Sequence, residues 1–236
     1  MPRQLLLIST STVHGSGYLE YCADRIGGFL NGRQPVAFVP YARPSGLSHD
    51  EYTRRARQKF EQIGLELRGI HEHEDPAEAI KSASAIFIGG GNTFLLLGDM
   101  YENGIVQAVR DAVESGVSYM GTSAGSNVAG MTIGTTNDMP IVYPPSFDAL
   151  SLVPFNINPH YIDPNPDSKH MGESRETRIN EFHVLNDQPV VGLREGAWLH
   201  VVDDSMKLEG TGGARLFRPR KDPVEIASDT DVSHLL

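Results

Sequence analysis

The sequence lacks the features that several classes of protein require. Its 236 residues include one cysteine, Cys22, so no disulfide can form within the chain. No apolar run reaches the ~18 residues of a membrane-spanning helix. Residues 1–4 lead directly into a short apolar segment rather than a signal peptide. We therefore expect a cytoplasmic protein with no membrane partner.

Positive charge is also scarce. The 20 Lys and Arg residues are outnumbered by 30 Asp and Glu residues, which gives a formal net charge of −10. No run of like charge exceeds a few residues, so the footprint of a nucleic-acid-binding protein is missing. Any anionic substrate of this chain must therefore meet a locally placed Arg or Lys.

Short apolar segments alternate with helical patterns along the first half of the chain. This alternation predicts a doubly wound, mainly parallel sheet with helices on both faces, and short antiparallel strands near the C-terminus. We expect residues 1–236 to form a single α/β domain. The expected strands are 5–8, 35–39, 65–70, 85–88, 118–121, 190–193, 197–202, 207–208 and 214–217.

The expected helices cover most of the segments between these strands. Beyond Met131 the periodicity weakens and seven prolines cluster between Pro140 and Pro166, so irregular structure is expected there. The expected helices are 19–30, 49–63, 76–83, one from 93, 105–115, 126–131 and 173–185.

Gly121, Ser123 and Gly125 form a G-x-S-x-G motif directly after an apolar run. Glycines at these positions permit a sharp turn from strand to helix that exposes the serine hydroxyl. A second small-residue turn, 89–92, also follows an apolar strand. Ligands of doubly wound sheets bind beyond the carboxyl ends of the strands, so we expect both turns to face one crevice.

A serine nucleophile requires a base and an acid that orients the base. Downstream candidates are His160, which follows a proline, and Glu195, which follows an apolar strand. Asp138 competes with Glu195 for the role of the acid. Cys22 lies in a helical pattern and is interpreted as a buried small hydrophobe rather than a catalytic thiol.

Two other patterns are discounted. His71 and His73 would lie on one face of a strand, but they lack the H-E-x-x-H spacing and a third metal ligand, so we expect a solvated loop in which Asp75 caps the next helix. The three glycines 89–91 are followed by neither a dinucleotide fingerprint nor a Walker lysine. No metal or organic cofactor is expected.

Six blocks together resemble peptidase E, the α-aspartyl dipeptidase family, and they occur in the family's order. They are GGGNTF (89–94), GTSAGSN (121–127), TTNDMP (135–140), NPH (158–160), GESRETRI (172–179) and GLREGAW (192–198). The resemblance implies a fold similar to the class I glutamine amidotransferases, with serine in place of their cysteine. It also implies a serine exopeptidase that hydrolyses Asp-Xaa dipeptides through an acyl-enzyme.

Carried over by position, the resemblance makes Ser123 the nucleophile, His160 the general base and Glu195 the third member of a triad. Asp138 matches a further acidic position of the family. The N–H groups of Gly90 or Gly91, with that of Ala124, would form an oxyanion hole. The sequence does not distinguish between the two glycines.

The substrate implied by the resemblance is a small peptide with an N-terminal aspartate. Arg175 matches the family's candidate for its side-chain carboxylate, because a guanidinium can bind a carboxylate through two parallel hydrogen bonds. Arg175 could equally be a solvent-facing residue of a helix. Asn92 could add a polar contact or could cap the helix that begins at Thr93. A homodimer remains open.

Alternative functions differ in substrate or in chemistry. A cyanophycinase-like enzyme would cleave β-aspartyl peptides, and a non-catalytic binding module would keep an amidotransferase-like fold without turnover. An α/β-hydrolase would need its histidine last in the chain, as His200 or His234, whereas His160 precedes Glu195 here.

Overall fold

The computed structural model describes residues 3–44, 46–165, 167, 169 and 171–236. Within these residues the chain forms helices α1–α7 and strands β1–β12. The helices are α1 (Ala23–Leu30), α2 (His49–Gln62), α3 (Pro76–Lys81), α4 (Thr93–Glu102), α5 (Ile105–Glu114), α6 (Ala124–Asn127) and α7 (Arg175–Leu185).

The strands divide between two sheets. They are β1 (Gln4–Ile8), β2 (Val36–Val39), β3 (Leu67–Gly69), β4 (Ala85–Ile88), β5 (Ser118–Thr122), β6 (Asn156–Pro159), β7 (Val190–Leu193), β8 (Ala197–Val202), β9 (Ser205–Gly210), β10 (Ala214–Phe217), β11 (Val224–Ile226) and β12 (Thr230–Asp231).

The larger sheet has the order β12-β9-β8-β1-β5-β4-β2-β3. Its five strands β1, β5, β4, β2 and β3 are parallel, whereas β8, β9 and β12 pair antiparallel. The carboxyl ends of the parallel strands therefore lie at one edge. This sheet confirms the expected parallel α/β architecture with antiparallel strands near the C-terminus.

The smaller sheet has the order β11-β10-β7-β6. Strands β6 and β7 are parallel neighbours, so their carboxyl ends also lie side by side. The expected strand 190–193 belongs to this sheet rather than to the main one. Strand β6 was not expected, because it lies in the proline-rich segment and ends on Pro159 itself.

The central strands of the larger sheet, β1, β2, β4 and β5, are buried on both faces. Along β1, Leu5 and Leu7 belong to one hydrophobic cluster, and Leu6 and Ile8 belong to another on the opposite face. Side chains of a strand alternate between its faces, so an unbroken apolar run fits a strand that is covered on both sides. The first cluster also includes Val191 of the smaller sheet, so the two sheets share a core.

Two expected helices differ from the structure by more than two residues at one end, whereas the others agree within two residues. Helix α1 begins at Ala23 rather than at residue 19, because Leu19 has a φ of 54°, which is outside the helical region. The helix expected over 126–131 is instead the single turn α6. After it, the carbonyl groups of Val128, Ala129 and Gly130 accept hydrogen bonds from residues 150–153 rather than from a continuing helix.

No helix of the described residues is long and apolar enough to cross a membrane.

Two glycines allow α6 to pack tightly against the parallel strands. A Cβ atom on Gly125 would lie 2.1 Å from the carbonyl oxygen of Ile88, and a Cβ on Gly121 would lie 2.5 Å from that of Gly125. Both distances are far below van der Waals contact with backbone atoms, which cannot rotate away. The motif therefore requires glycine at both positions for reasons of space.

We predict that Gly125→Ala destabilises the fold by at least ~1–3 kcal/mol, the usual range for overpacking. Gly28→Ala is the matched control, because Gly28 lies exposed in α1 and its added Cβ would meet nothing within 4 Å. The control should gain ~0.5–1 kcal/mol from higher helix propensity. Urea unfolding of both variants measures the difference; equal stability of the two would contradict the packing argument.

Candidate active site

Ser123 lies between the end of β5 and the start of α6. Its backbone has a φ of 52° and a ψ of −112°, a conformation that residues other than glycine rarely adopt. Its N–H group donates to the carbonyl oxygen of Ile8, 3.0 Å away, which ties the turn to β1. This is the strained geometry of a nucleophile elbow.

Neighbouring side chains hold the elbow in this conformation. The Ser126 hydroxyl lies 2.7 Å from the carbonyl oxygen of Ile8 and 2.9 Å from that of Gly121. The hydroxyl of buried Tyr119 donates to the carbonyl oxygen of Gly125 over 2.6 Å. These bonds join β1, β5 and α6, and they stabilise a turn that is costly by itself.

The expected serine, histidine and carboxylate form one hydrogen-bonded chain. His160 Nε2 lies 2.9 Å from Ser123 Oγ, and His160 Nδ1 lies 2.7 Å from Glu195 Oε1. His160 directly follows β6, and Glu195 lies in the turn after β7. The two parallel strands of the smaller sheet therefore present the imidazole and the carboxylate next to each other.

Ser9 lies outside the expected strands and helices, yet it connects the two sheets at this site. Its buried hydroxyl donates to the carbonyl oxygen of Leu193 over 2.8 Å and accepts a hydrogen bond from the N–H of His160 over 3.0 Å. Its position directly after buried strand β1 was the available signal, because polar residues at strand ends face the crevice of such sheets.

The turn 89–92 meets the elbow, as expected from sequence. A Cβ atom on Gly90 would lie 2.9 Å from the Cβ of Ser123 and 3.4 Å from its Oγ. Gly91 has a φ of 147°, and a Cβ there would lie 2.0 Å from the carbonyl oxygen of Ala42. Glycine is therefore needed at both positions, for close approach at Gly90 and also for backbone conformation at Gly91.

Three backbone donors beside Ser123 remain available. Within the described residues, the N–H groups of Gly90, Gly91 and Ala124 donate to no acceptor of the chain. The Gly90 carbonyl oxygen accepts a hydrogen bond from the hydroxyl of buried Tyr52 over 3.2 Å, which fixes the orientation of the Gly90–Gly91 peptide group. Fixed, unpartnered donors can bind an anionic oxygen.

The carboxylate of Asp138 binds the start of helix α4 rather than His160. One oxygen of its carboxylate accepts hydrogen bonds from the Thr93 N–H over 2.7 Å, the Thr93 hydroxyl over 2.6 Å and the Thr136 hydroxyl over 3.2 Å. It is Glu195 that bonds to the imidazole. In the described contacts, Asp138 therefore holds its loop against the start of α4.

Asn92 has the geometry of a helix cap. Its Oδ1 accepts a hydrogen bond from the N–H of Leu95 over 3.0 Å, and its Nδ2 donates to the carbonyl oxygen of Met139 over 2.9 Å. Both ends of the amide thus have partners, as the capping interpretation requires. The same side chain fastens the loop of Asp138 to the glycine turn.

Arg175 is the first residue of α7, which Ser174 caps. It is half-buried and lines a surface cavity together with Ile162, Asn165 and Arg178. Burial lowers the pKa of its guanidinium, the positive charge of Arg178 lowers it further, and the negative charge of Asp138 opposes both. No carboxylate of the described residues lies within the 4.0 Å of an ion pair from Arg175, so its charge is available to an anion.

The remaining candidates lie in other environments. His71 lies in a short 3₁₀ turn, and its Nε2 lies 3.0 Å from Asp50 Oδ1. Asp75 caps α3, as expected. Cys22 is buried, and burial raises the pKa of its thiol to about 12. His200 lies in β8 near Glu209. None of these groups bonds to Ser123 in the described part of the chain.

Comparison with known proteins identifies the family. The sequence model of peptidase family S51 matches residues 5–209. The chain belongs to peptidase family S51. It is 52% identical over 232 residues to "Peptidase E" of Streptomyces coelicolor, covering 98% of this chain and 94% of that protein. It is 44% identical over 237 residues to "Probable alpha-aspartyl dipeptidase" of Drosophila melanogaster, covering 99% of this chain and 98% of that one.

Solved structures agree on the fold of this S51 peptidase. A peptidase from an acI-B1 actinobacterium superposes with a TM-score of 0.73 at 19% identity, over 98% of this chain and 97% of that one. A putative peptidase E from Listeria monocytogenes superposes with a TM-score of 0.65 at 19% identity, over 90% of this chain and all of the other. The resemblance stated from the six sequence blocks is thereby confirmed for both family and fold.

Proposed function

We propose that the protein is a serine exopeptidase that hydrolyses dipeptides with an N-terminal aspartate. The observation that carries this proposal is the continuous hydrogen-bonded chain from Ser123 through His160 to Glu195. The names of the two relatives, peptidase E and probable alpha-aspartyl dipeptidase, support the substrate class. Neither the β-aspartyl alternative nor the non-catalytic module has comparable support.

The first step is attack by Ser123 on the aspartyl carbonyl carbon. His160 Nε2 accepts the hydroxyl proton, which it can do because Nδ1 keeps the other ring proton and donates a hydrogen bond to Glu195. Glu195 thus fixes the tautomer and stabilises the imidazolium that forms. His160 Nε2 then donates the proton to the leaving amine, and the acyl-enzyme remains on Ser123.

The tetrahedral intermediate carries a negative oxygen, for which we propose the N–H groups of Ala124 and of Gly90 or Gly91. They are supported as donors by their position beside Ser123 and by the lack of an internal acceptor for them in the described structure. Loss of one such donor typically removes ~2.7–4 kcal/mol of transition-state stabilisation.

Hydrolysis of the acyl-enzyme repeats these steps with water as the nucleophile. His160 accepts a proton from water as it attacks the ester carbonyl, and returns the proton to Ser123 Oγ as the ester breaks. Every step uses groups of the chain itself. The proposed mechanism therefore requires neither a metal ion nor an organic cofactor.

We predict that Ser123→Ala lowers kcat for Asp-Leu by at least ~10⁴-fold, because serine peptidases lose most of their rate with the nucleophile. Turnover by the wild type should persist in excess chelator. Asp-Leu and Ala-Leu hydrolysis by both proteins is the measurement, with circular dichroism as the control for folding. Equal turnover by the two proteins would exclude Ser123 as the nucleophile.

For the side-chain carboxylate of the substrate we propose Arg175 as the ligand. The protein is acidic overall, so recognition of an anion depends on a local charge, and Arg175 is half-buried with no carboxylate partner in the described residues. A partly desolvated guanidinium binds a carboxylate more strongly than one in open water. The negative Asp138 near it favours the charged form of Arg175.

We predict that Arg175→Met lowers kcat/KM for Asp-Leu by ~10²–10³-fold, the loss expected for a charge-assisted bidentate bond. Hydrolysis of Ala-Leu should stay within a few-fold, so selectivity collapses. Arg178→Met is the matched control, because Arg178 lines the same cavity but is exposed. A selective loss in Arg178→Met instead of Arg175→Met would transfer the role to Arg178.

Three broader features complete the proposal. We take residues 1–236 as one peptidase domain, supported by the core that the two sheets share and by relatives that align over 98% of the chain or more. A cytoplasmic location is supported by the single, buried cysteine, since thiols stay reduced there. Cell fractionation tests the location.

Four exposed apolar side chains of one loop, Met139, Ile141, Tyr143 and Phe147, support a homodimer.

We predict that light scattering gives twice the chain's mass of 25.8 kDa and that Tyr143→Lys shifts this mass toward the monomer. Tyr143 is 90% exposed within one chain, so the substitution should leave the stability of the fold within ~0.5 kcal/mol. Val184→Lys, on an exposed position of α7, is the control. A wild-type monomer at micromolar concentration would refute the dimer.

A further inference from the structure

An ion-pair network links segments that adjoin residues of the proposed site. Arg194 binds Asp163 through two parallel hydrogen bonds, Nε to Oδ2 and Nη2 to Oδ1, each 2.7 Å long. Its Nη2 also lies 2.9 Å from Glu225 Oε2. Arg215 Nη2 lies 3.1 Å from Glu176 Oε2, with longer approaches of 3.8 Å to Asp163 and 3.5 Å to Glu225.

Three members of this network are close in sequence to residues of the site. Arg194 directly precedes Glu195, Asp163 follows His160 by three residues, and Glu176 directly follows Arg175. The site residues come from different elements, namely the turns after β6 and β7 and the start of α7. The network therefore connects the segments whose relative positions decide whether the site is assembled.

The two arginines have different partners on the site side. Arg194 joins the turn of Glu195 to the segment after His160, and its bidentate geometry restricts rotation as well as distance. Arg215 is the described residue that binds Glu176, so it joins the smaller sheet to the start of α7. Arg215 lies in β10, where its register partners are Gly192 of β7 and Glu225 of β11.

The arginines of these ion pairs are largely shielded from solvent, whereas their partners Asp163 and Glu225 are 46% and 60% exposed. The Arg194 and Arg215 side chains are only 20% and 23% exposed. The bonds from Arg194 hold the pKa of the Asp163 carboxyl below its usual range, and the bond to Asp163 raises the pKa of the Arg194 guanidinium. By contrast, Arg220 and Asp187 are each 88% exposed and 3.8 Å apart.

We propose that Arg194 and Arg215 are positioning residues with separate tasks. Arg194 sets the position of His160 relative to Glu195, and so controls the reactivity of Ser123. Arg215 sets the start of α7, and so controls how well Arg175 binds the aspartyl side chain. The proposal rests on the peptidase function proposed above, and it assigns activation and specificity to two halves of one network.

The test uses the full-length protein and two readouts. The rate at which phenylmethylsulfonyl fluoride labels Ser123 reports activation of the nucleophile without any aspartyl substrate. The KM for Asp-Leu, and the concentration of free aspartate that halves the labelling rate, report the specificity site. The variants are Arg194→Met, Arg194→Lys and Arg215→Met, with Arg220→Met as the surface control.

We expect Arg194→Met to slow labelling and lower kcat by ~10–100-fold, the usual cost of losing a group that orients an active-site ligand, with KM within twofold. Arg194→Lys should restore little, because an ammonium cannot form the two parallel bonds. Arg215→Met should raise the KM, and the aspartate concentration that halves the labelling rate, by ~10-fold, because one charge-assisted contact is lost. The labelling rate without aspartate should not change. Arg220→Met should change neither.

A merely structural role would lower the melting temperature of both variants and leave both readouts unchanged. That result, or a change in the same readout for both arginines, would overturn the proposal. Failure of the proposed function looks different. If wild-type Ser123 is labelled but Asp-Leu is not cleaved, the substrate is wrong; labelling then still decides the role of Arg194. The protection of Ser123 by free aspartate then decides the role of Arg215. If aspartate does not slow the labelling of the wild type, the role proposed for Arg215 is rejected.

Discussion

The geometry of the proposed catalytic site depends on how two sheets are joined, because each contributes part of the hydrogen-bonded chain. Ser123 lies at the carboxyl end of β5, an inner strand of the larger sheet, whereas His160 and Glu195 follow strands β6 and β7 of the smaller one. The Ser9 hydroxyl connects the two sheets, because it accepts a hydrogen bond from the N–H of His160 and donates one to the carbonyl oxygen of Leu193. Ser9 directly follows β1, and the N–H of Ser123 donates to the last carbonyl group of that strand. The end of β1 therefore fixes the positions of Ser123, His160 and Glu195 relative to one another.

The same region contains unusual backbone conformations. Ser123 and His160 both have positive φ values, of 52° and 53°, and such conformations cost ~1–3 kcal/mol for a non-glycine residue unless the surroundings fix them. Here the bonds that the Ser126 and Tyr119 hydroxyls donate, and the bond that the Ser9 hydroxyl accepts from the N–H of His160, supply that constraint. In these conformations Ser123 and His160 lie just beyond the ends of their strands. In the proposed mechanism, the two folded sheets therefore hold both reacting groups in place before substrate binds.

The sequence predicted those parts of the structure that follow from local pattern. Unbroken apolar runs indicated the parallel strands, and the glycines around Ser123 indicated the elbow. Strand β6 could not be recognised, because Pro154 and Pro159 obscure its pattern and its pairing with β7 is a contact between distant segments. The bonds of Ser9 to Leu193 and His160 are likewise contacts between distant segments, which local pattern does not reveal. The choice of Glu195 over Asp138 as the partner of His160 depends on how distant loops pack, and the family resemblance rather than periodicity indicated it.

Charge distribution explains how an acidic protein can receive an acidic substrate. Arg194 and Arg215 are neutralised by Asp163, Glu176 and Glu225, so the network contributes rigidity and little positive potential. Arg175, on the adjoining helix, has no such partner within the described residues; burial lowers the pKa of its guanidinium, and the positive charge of Arg178 lowers it further. In the proposed complex, the carboxylate of the substrate offsets the repulsion from Arg178, which adds to the binding energy of its hydrogen bonds. Under this proposal, selectivity for an anionic side chain depends on Arg175, because the arginines of the neighbouring network are already paired.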